Sequence, residues 1–338
     1  MSFFLKSHRI AVLGAGSWGT TIANLLTEKG HKVTLWSFEE EVVKEINENH
    51  TNSTYLPGIQ LNKNLKATLS PSSLWRTEIF IIAVPTQYIR DVLLKYKFPI
   101  KNKLIVNLSK GIEKKTLMRI SEVLQDSIGY NPEHFLTLTG PSHAEEVSRK
   151  IPTTVVVASE DIESAKFIRD IFSTSYFRIY SSEDVIGCEL GGALKNVIAL
   201  AAGIIDGLRL GDNTKAALIT RGLAEITKLG VALGAKPQTF SGLSGLGDLV
   251  VTCNSKHSRN RFVGEQIGKG KSMIEILKEM KMVAEGIHTT ESAYFLSQKH
   301  KVDMPIIEQV YQILFNGLDP LEAINNLMTR QSKNEWWW

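Results

Sequence analysis

Two patterns of apolar residues divide the chain. Over its first half, short runs of consecutive apolar residues alternate with stretches in which apolar positions recur every three or four residues. Arg9–Leu13, Lys32–Trp36, Ile79–Val84, Lys103–Leu108, Phe135–Thr139 and Thr153–Ala158 read as strands, and Gly19–Glu28, Glu39–Asn47 and Thr116–Gln125 as helices between them. Strand, helix, strand in repetition predicts an α/β domain with a mostly parallel, doubly wound sheet and helices on both faces. From Cys188 the periodicity is helical: Leu190–Leu208, Thr214–Leu233, Arg261–Lys269, Met273–Glu279, Thr289–Lys299 and Ile306–Phe315, with no convincing strand, internal repeat or low-complexity linker. The chain's 338 residues suffice for two domains of roughly 100–200 residues each. They divide into an α/β unit over 1–185 and an all-helical unit over 186–338, with a cleft between them as the expected substrate site.

One motif gives the α/β unit a chemical meaning. In VLGAGSWGTTIANLL, Gly14, Gly16 and Gly19 stand where the first strand ends and the first helix begins. The first glycine permits a tight turn, the second lets a pyrophosphate approach the backbone, and the third lets helix pack on strand. A dinucleotide phosphate then sits on the free N–H groups at the helix N-terminus. The triplet alone is weak evidence, but its context is the one a Rossmann-type domain requires. At the end of the second strand, where an acid reads the ribose 2′-hydroxyl of NAD, the chain has Ser37. Serine does not repel a 2′-phosphate, so NADPH is favoured with NADH as an alternative; Glu39 and Glu40 just beyond read as residues of a helix N-terminus.

Composition adds mainly exclusions. Hydrophobic residues make up 43% and charged residues 22%, as in ordinary globular proteins, and the net charge of +4 is spread along the chain. No basic stripe suggests nucleic acid. Cys188 and Cys253 have no metal-ligand spacing and lie in apolar surroundings, which suits reduced thiols and a cytoplasmic setting. No paired histidines suggest a metal. The opening MSFFLKSHR lacks a signal-peptide core. The longest strongly apolar run, Val197–Ile205, falls short of the ~20 residues that span a bilayer, so no membrane insertion is expected. The ending, Trp336–Trp338, reads either as a loose terminus or as an interfacial contact.

Four further stretches carry candidate chemistry. In LSKGIE, Lys110 follows a strand end; it is either a surface lysine or an ammonium hanging over the sheet's carboxyl edge. In LTGPSHAEEV, Gly140 and Ser142 follow another strand, with Ser142 either capping a helix or offered to a ligand, and His143 structural or peripheral. In CELGGALKNVIALAAGIIDG, Lys195 and Asn196 are the only strongly polar side chains of a closely packed apolar segment. Such a lysine either snorkels outward or loses solvation and drops toward the pKa of a general base. In SGLSGLGDLVVTCNSKHSRNRFVGEQIG, three glycines bring Asp248 close to another group, and Ser258, Arg259 and Asn260 precede a helix, a composition suited to phosphate.

Together with YLPG at Tyr55–Gly58 and VAEG at Val283–Gly286, these stretches resemble the bacterial NAD(P)-dependent glycerol-3-phosphate dehydrogenase family along nearly the whole chain. The resemblance implies interconversion of dihydroxyacetone phosphate and sn-glycerol 3-phosphate, supplying phospholipid synthesis, in a homodimer. It implies Lys195 as proton acceptor, and a substrate set of Lys110, Gly140, Ser142, Asp248, Ser258, Arg259 and Asn260; in the catalytic step Asp248 then either orients Lys195 or bonds a substrate hydroxyl. It further implies a cofactor set of Ser17, Trp18, Lys110, Ala144, Arg259, Val283 and Glu285. Many relatives carry a basic residue where this chain has Ser37, a departure that bears on NADH against NADPH. Two rivals stand beside this reading. A 3-hydroxyacyl or hydroxy-acid dehydrogenase would favour a histidine–glutamate or carboxylate-binding constellation; a nucleotide sensor would have no need of Lys195 and Asp248.

Overall fold

The computed structural model describes residues 6–280, 283–332 and 334–335; Trp336–Trp338 lie outside them. Eight strands form one sheet: β1 Arg9–Leu13, β2 Lys32–Trp36, β3 Lys66–Thr68, β4 Ile79–Ile82, β5 Leu104–Asn107, β6 Phe135–Thr139, β7 Thr153–Ala158 and β8 Phe177–Ser182. Their order is β3-β2-β1-β4-β5-β6-β7-β8. All pairs are parallel except β6 with β7. The helices of this half are α1 Ser17–Glu28, α2 Glu40–Glu48, α3 Ile89–Tyr96, α4 Ile120–Ile128, α5 Ala144–Val147 and α6 Ile162–Phe172.

The central strands β1 and β4 carry near-continuous apolar runs because both faces are covered. Successive side chains point to opposite faces. Ile10, Val12 and Ile81 therefore join one apolar cluster, and Ala11, Leu13, Phe80 and Ile82 the other. The apolar-run criterion misses two strands. β3 has only three residues, and β8 is an edge strand whose Arg178 and Tyr180 face solvent, so it lacks consecutive apolar positions.

The second half is helical: α7 Val185–Leu208, α8 Gly211–Ala232, α9 Pro237–Phe240, α10 Asp248–Asn254, α11 Arg259–Gly268, α12 Met273–Glu279, α13 Glu285–His300, α14 Pro305–Asn316 and α15 Pro320–Met328. Among the described residues no strand follows α7. Asp184 caps α7 by accepting a hydrogen bond from the Gly187 N–H at 2.9 Å, and the helix then runs through the centre of a third apolar cluster. The apolar run Val197–Ile205 is only part of α7, which by length and composition alone could cross a membrane, but the helix is buried inside the protein. Its glycines set how closely it packs. A Cβ at Gly203 would collide with the Arg261 carbonyl, and one at Gly264 with that of Leu200. Helices α7 and α11 therefore meet backbone to backbone, which fixes the start of α11 relative to Lys195.

Candidate active site

Strand order reverses between β1 and β4, and in open α/β sheets ligands bind at the carboxyl ends of strands beside such a switch point. A cleft of about 760 Å³ opens there, walled by the sheet edge on one side and by α7, α10, α11 and the start of α13 on the other. Gly14, with φ of +108°, turns the chain so tightly that a Cβ would lie 2.7 Å from the Ala83 carbonyl oxygen. At Gly16 a Cβ would meet nothing within 4 Å. Gly16 is also the N-cap of α1, with no side-chain cap and no acid in the first turn. The helix thus presents free N–H groups and its positive end to open space, a cradle that fits a dinucleotide pyrophosphate.

At the cleft floor three elements converge on one carboxylate. Lys195 from α7 donates to Asp248 Oδ1 at 2.7 Å and to Thr252 Oγ1 at 2.6 Å. Lys110, beyond β5, donates to Asp248 Oδ2 at 2.7 Å and to the Gly140 carbonyl at 3.0 Å. Asp248 thus divides its two oxygens between two ammonium groups. A π-helical turn, Leu243–Gly247, leads straight into Asp248. That turn reaches α7 only because Gly191 lacks a side chain; a Cβ there would stand 2.6 Å from the Ser244 carbonyl oxygen. Burial strips solvation from Lys195 and pushes its pKa down to about 8, against the pull of Asp248. Burial opposes ionisation of Asp248, but the two ammonium groups outweigh it and hold the carboxyl below its ordinary range.

Every residue of the expected cofactor and substrate sets except Gly140 and Asp248 lines the cleft. Those two lie one layer behind, both bonded to Lys110. The Ser258 hydroxyl accepts from the Arg261 N–H at 3.2 Å and caps α11, so Arg259 and Asn260 form that helix's first turn and do not precede it. Asn260 Oδ1 accepts from the Gly286 N–H at 2.9 Å, leaving its amide donors for a ligand. Glu285 opens α13 and accepts from the Thr86 N–H at 2.7 Å, tying the helical half to the loop after β4. Ser142 does not cap α5. His143 holds that position, while the Ser142 hydroxyl donates to the Gly140 carbonyl at 2.9 Å. Ser37 is buried, and its oxygen accepts from the Glu39 N–H at 3.2 Å.

Sequence reasoning passes over several cleft residues. Thr252 follows Asp248 by four positions, one helical turn, and that spacing is a usable signal for a second partner of Lys195. His143 is not peripheral: it lines the cleft, 5.8 Å ring to ring from His257, with a buried Nε2 lacking a partner. Burial and the ammonium groups of Lys195 and Lys110 push it down to about 4, so it is neutral near neutral pH. Cys188 and Cys253 are free and buried, and burial pushes both thiols up to about 12, which makes them inert core groups.

A dinucleotide cradle beside a lysine–carboxylate cluster does not by itself name a substrate, and comparison with known proteins narrows the choice. Residues 9–165 match the N-terminal family model of NAD-dependent glycerol-3-phosphate dehydrogenase, and residues 184–325 match its C-terminal model. The chain belongs to the NAD-dependent glycerol-3-phosphate dehydrogenase family. Its relatives include glycerol-3-phosphate dehydrogenase [NAD(P)+] from Citrifermentans bemidjiense, 52% identical over 334 residues that cover 97% of this chain and 99% of that one. The namesake from Pelotomaculum thermopropionicum is 50% identical over 332 residues, covering 97% and 95% respectively. The crystal structure of glycerol-3-phosphate dehydrogenase from Coxiella burnetii superposes with a TM-score of 0.91 at 39% identity, over 96% of this chain and 99% of that one. Membership makes this chain an NAD(P)-dependent oxidoreductase.

Proposed function

We propose that this dehydrogenase interconverts dihydroxyacetone phosphate and sn-glycerol 3-phosphate, with Lys195 exchanging the proton of the reacting oxygen. The observation that carries the reading is the Lys195 ammonium at the cleft floor, desolvated to a pKa of about 8 and held by Asp248 and Thr252. A group with its pKa near working pH serves as base in one direction and acid in the other. The nicotinamide, when bound, supplies the hydride acceptor or donor. Gly14, Gly16, Ser17, Trp18, Gly19 and Ala144 would hold it with Val283 and Glu285, on the cradle at α1. Lys110 fixes Asp248 and adds positive charge for an anionic substrate. Arg259 and Asn260, in the first turn of α11, bind the substrate phosphate with Ser258 as the cap that shapes that turn. Gly140 and Ser142 complete the substrate side, and anchoring at the phosphate aligns the reacting carbon.

The reading includes a division at 185/186, a homodimer, a cytoplasmic setting and supply of glycerol 3-phosphate to phospholipid synthesis. Two unpaired buried cysteines support the compartment; the resemblance supports the dimer and the metabolic role. The test is oxidation of reduced nicotinamide, followed by absorbance, with dihydroxyacetone phosphate, unphosphorylated dihydroxyacetone and 2-keto acids as alternative acceptors. Turnover confined to dihydroxyacetone phosphate is expected; equal turnover of the phosphate-free ketone would overturn the phosphate assignment.

A further inference from the structure

Beyond β2 the cleft carries a carboxylate that the hydride and proton transfers do not use. Glu39 stands at the N-cap of α2, where an acid ordinarily accepts from its own helix, yet its side chain makes no capping bond. It turns into the cleft, where the Tyr55 hydroxyl donates to Oε1 at 2.8 Å. The turn that presents it is closed by the buried Ser37, whose oxygen accepts from the Glu39 N–H. Ser37 is therefore the support and Glu39 the group that a ligand meets.

We propose that Glu39, held by Tyr55, reads the 2′-hydroxyl of the adenine ribose and makes this enzyme selective for NADH over NADPH. The proposal rests on the dinucleotide occupying this cleft, and it reverses the preference expected from Ser37 alone. In a Rossmann-type sheet the ribose lies at the end of the second strand. A carboxylate accepts a hydrogen bond from the 2′-hydroxyl, whereas a 2′-phosphate brings up to two negative charges against it. Tyr55 keeps the carboxylate from swinging aside without losing a hydrogen bond. Among the described residues, the lysine that lines the cleft beside Tyr96 does not neutralise it. Lys95 lies over the Tyr96 ring, 5.1 Å from its centroid, and forms no ion pair with Glu39, while Asp91 on the same helix adds a second negative charge.

The test is titration of wild type, Glu39→Gln and Tyr55→Phe with NADH and with NADPH, read by quenching of tryptophan fluorescence without substrate. Wild type is expected to bind NADH at least about tenfold more tightly, the scale of one uncompensated charge contact. Glu39→Gln is expected to bring the two affinities within about threefold, chiefly by tightening NADPH, since only the repulsion is removed. Raising the salt concentration should narrow the wild-type ratio and leave the Gln ratio still, which a merely structural role would not produce. Tyr55→Phe, freeing the carboxylate, should give an intermediate ratio. Equal wild-type affinities, or a ratio unchanged in Glu39→Gln, would overturn the proposal alone. Preferential NADPH binding lost on Lys95→Ala would also overturn it and assign the 2′-phosphate to Lys95. Failure of either dinucleotide to bind would overturn the cleft assignment and the proposal together.

Discussion

Replacing Asp248 by Asn isolates the electrostatics of the site at nearly constant shape. The carboxylate lies between Lys195 and Lys110, 2.7 Å from each ammonium, and among the described residues no other carboxylate pairs with either lysine. With Asp248 in place, Lys195 titrates near 8 because burial already exceeds the carboxylate's attraction. Removing an opposite charge at this range lowers an amine's pKa by roughly 1–3 units. The midpoint should therefore fall from about 8 to somewhere between about 5 and 7. The readout is kcat/KM for glycerol 3-phosphate oxidation against pH, which reports groups of the free enzyme. In wild type it should climb with pH through about 8, as Lys195 loses its proton. In Asp248→Asn it should be flat above about 7, where the substrate phosphate, with a second pKa of about 6, has finished titrating. The plateau will lie lower because the lysine loses its orienting partner. Breaking a buried pair costs about 3–5 kcal/mol when the remaining charge stays buried. The fall in Tm should thus be greatest at low pH, where both lysines remain protonated, and smaller at pH values where Lys195 is neutral. A rising limb left at its wild-type position, in a folded variant, would refute the argument that Asp248 sets the lysine's pKa.

Lys195→Ala should lower kcat by at least about 10²-fold while dissociation constants for the dinucleotide, measured by fluorescence, barely change. Arg259→Ala should raise KM for dihydroxyacetone phosphate and lower kcat, yet leave the poor turnover of unphosphorylated dihydroxyacetone almost unaltered; equal loss with both acceptors would move Arg259 to the cofactor. Gly203→Ala should destabilise by about 1–3 kcal/mol or more through overpacking against α11, seen as a lower Tm in calorimetry. Glu225 accepts from the Ile306 and Ile307 N–H groups, and burial raises its pKa to about 8. Its folded-state pKa lies above the unfolded one, so the stability it contributes is full below about 4.3 and is lost as pH rises through about 8. Glu225→Gln should flatten the fall in Tm over that window.

Legibility in the sequence followed how local each feature is. The bounds of β1, β2, β6 and β7 are readable because strands covered on both faces concentrate apolar and β-branched residues at neighbouring positions. Edge strand β8 alternates buried and exposed positions instead, so no consecutive apolar run marks it. The glycine cradle is readable because all its parts fall within six residues. The meeting of Lys110 with Asp248 is not: 138 positions separate them, and no periodicity records which loop faces which helix. Ser37 shows the limit most sharply. Counting finds the residue at the strand end, but only the turn geometry reveals that its oxygen supports the backbone while Glu39, two residues on, enters the cleft.

The apolar composition of α7 and the lowered pKa of Lys195 are one fact seen at two scales. A lysine reaches a pKa of about 8 only if water is kept from it, and here water is excluded by neighbouring helices. Those helices approach because Gly191 admits the π-helical turn and Gly203 admits α11, each backbone against backbone. The same two contacts set where the proposed proton-transfer and phosphate groups lie. The turn at Gly191 delivers Asp248 to the lysine, and the crossing at Gly203 delivers Arg259 and Asn260 to the cleft wall. A side chain at Gly191 would force the turn outward and take the carboxylate with it. The lysine would then gain water and lose its partner together, with opposing effects on its pKa. A side chain at Gly203 would instead shift the first turn of α11 and leave the lysine's partners in place. Packing substitutions along one helix should therefore separate the proposed proton transfer from the proposed phosphate anchoring, although neither glycine lines the cleft.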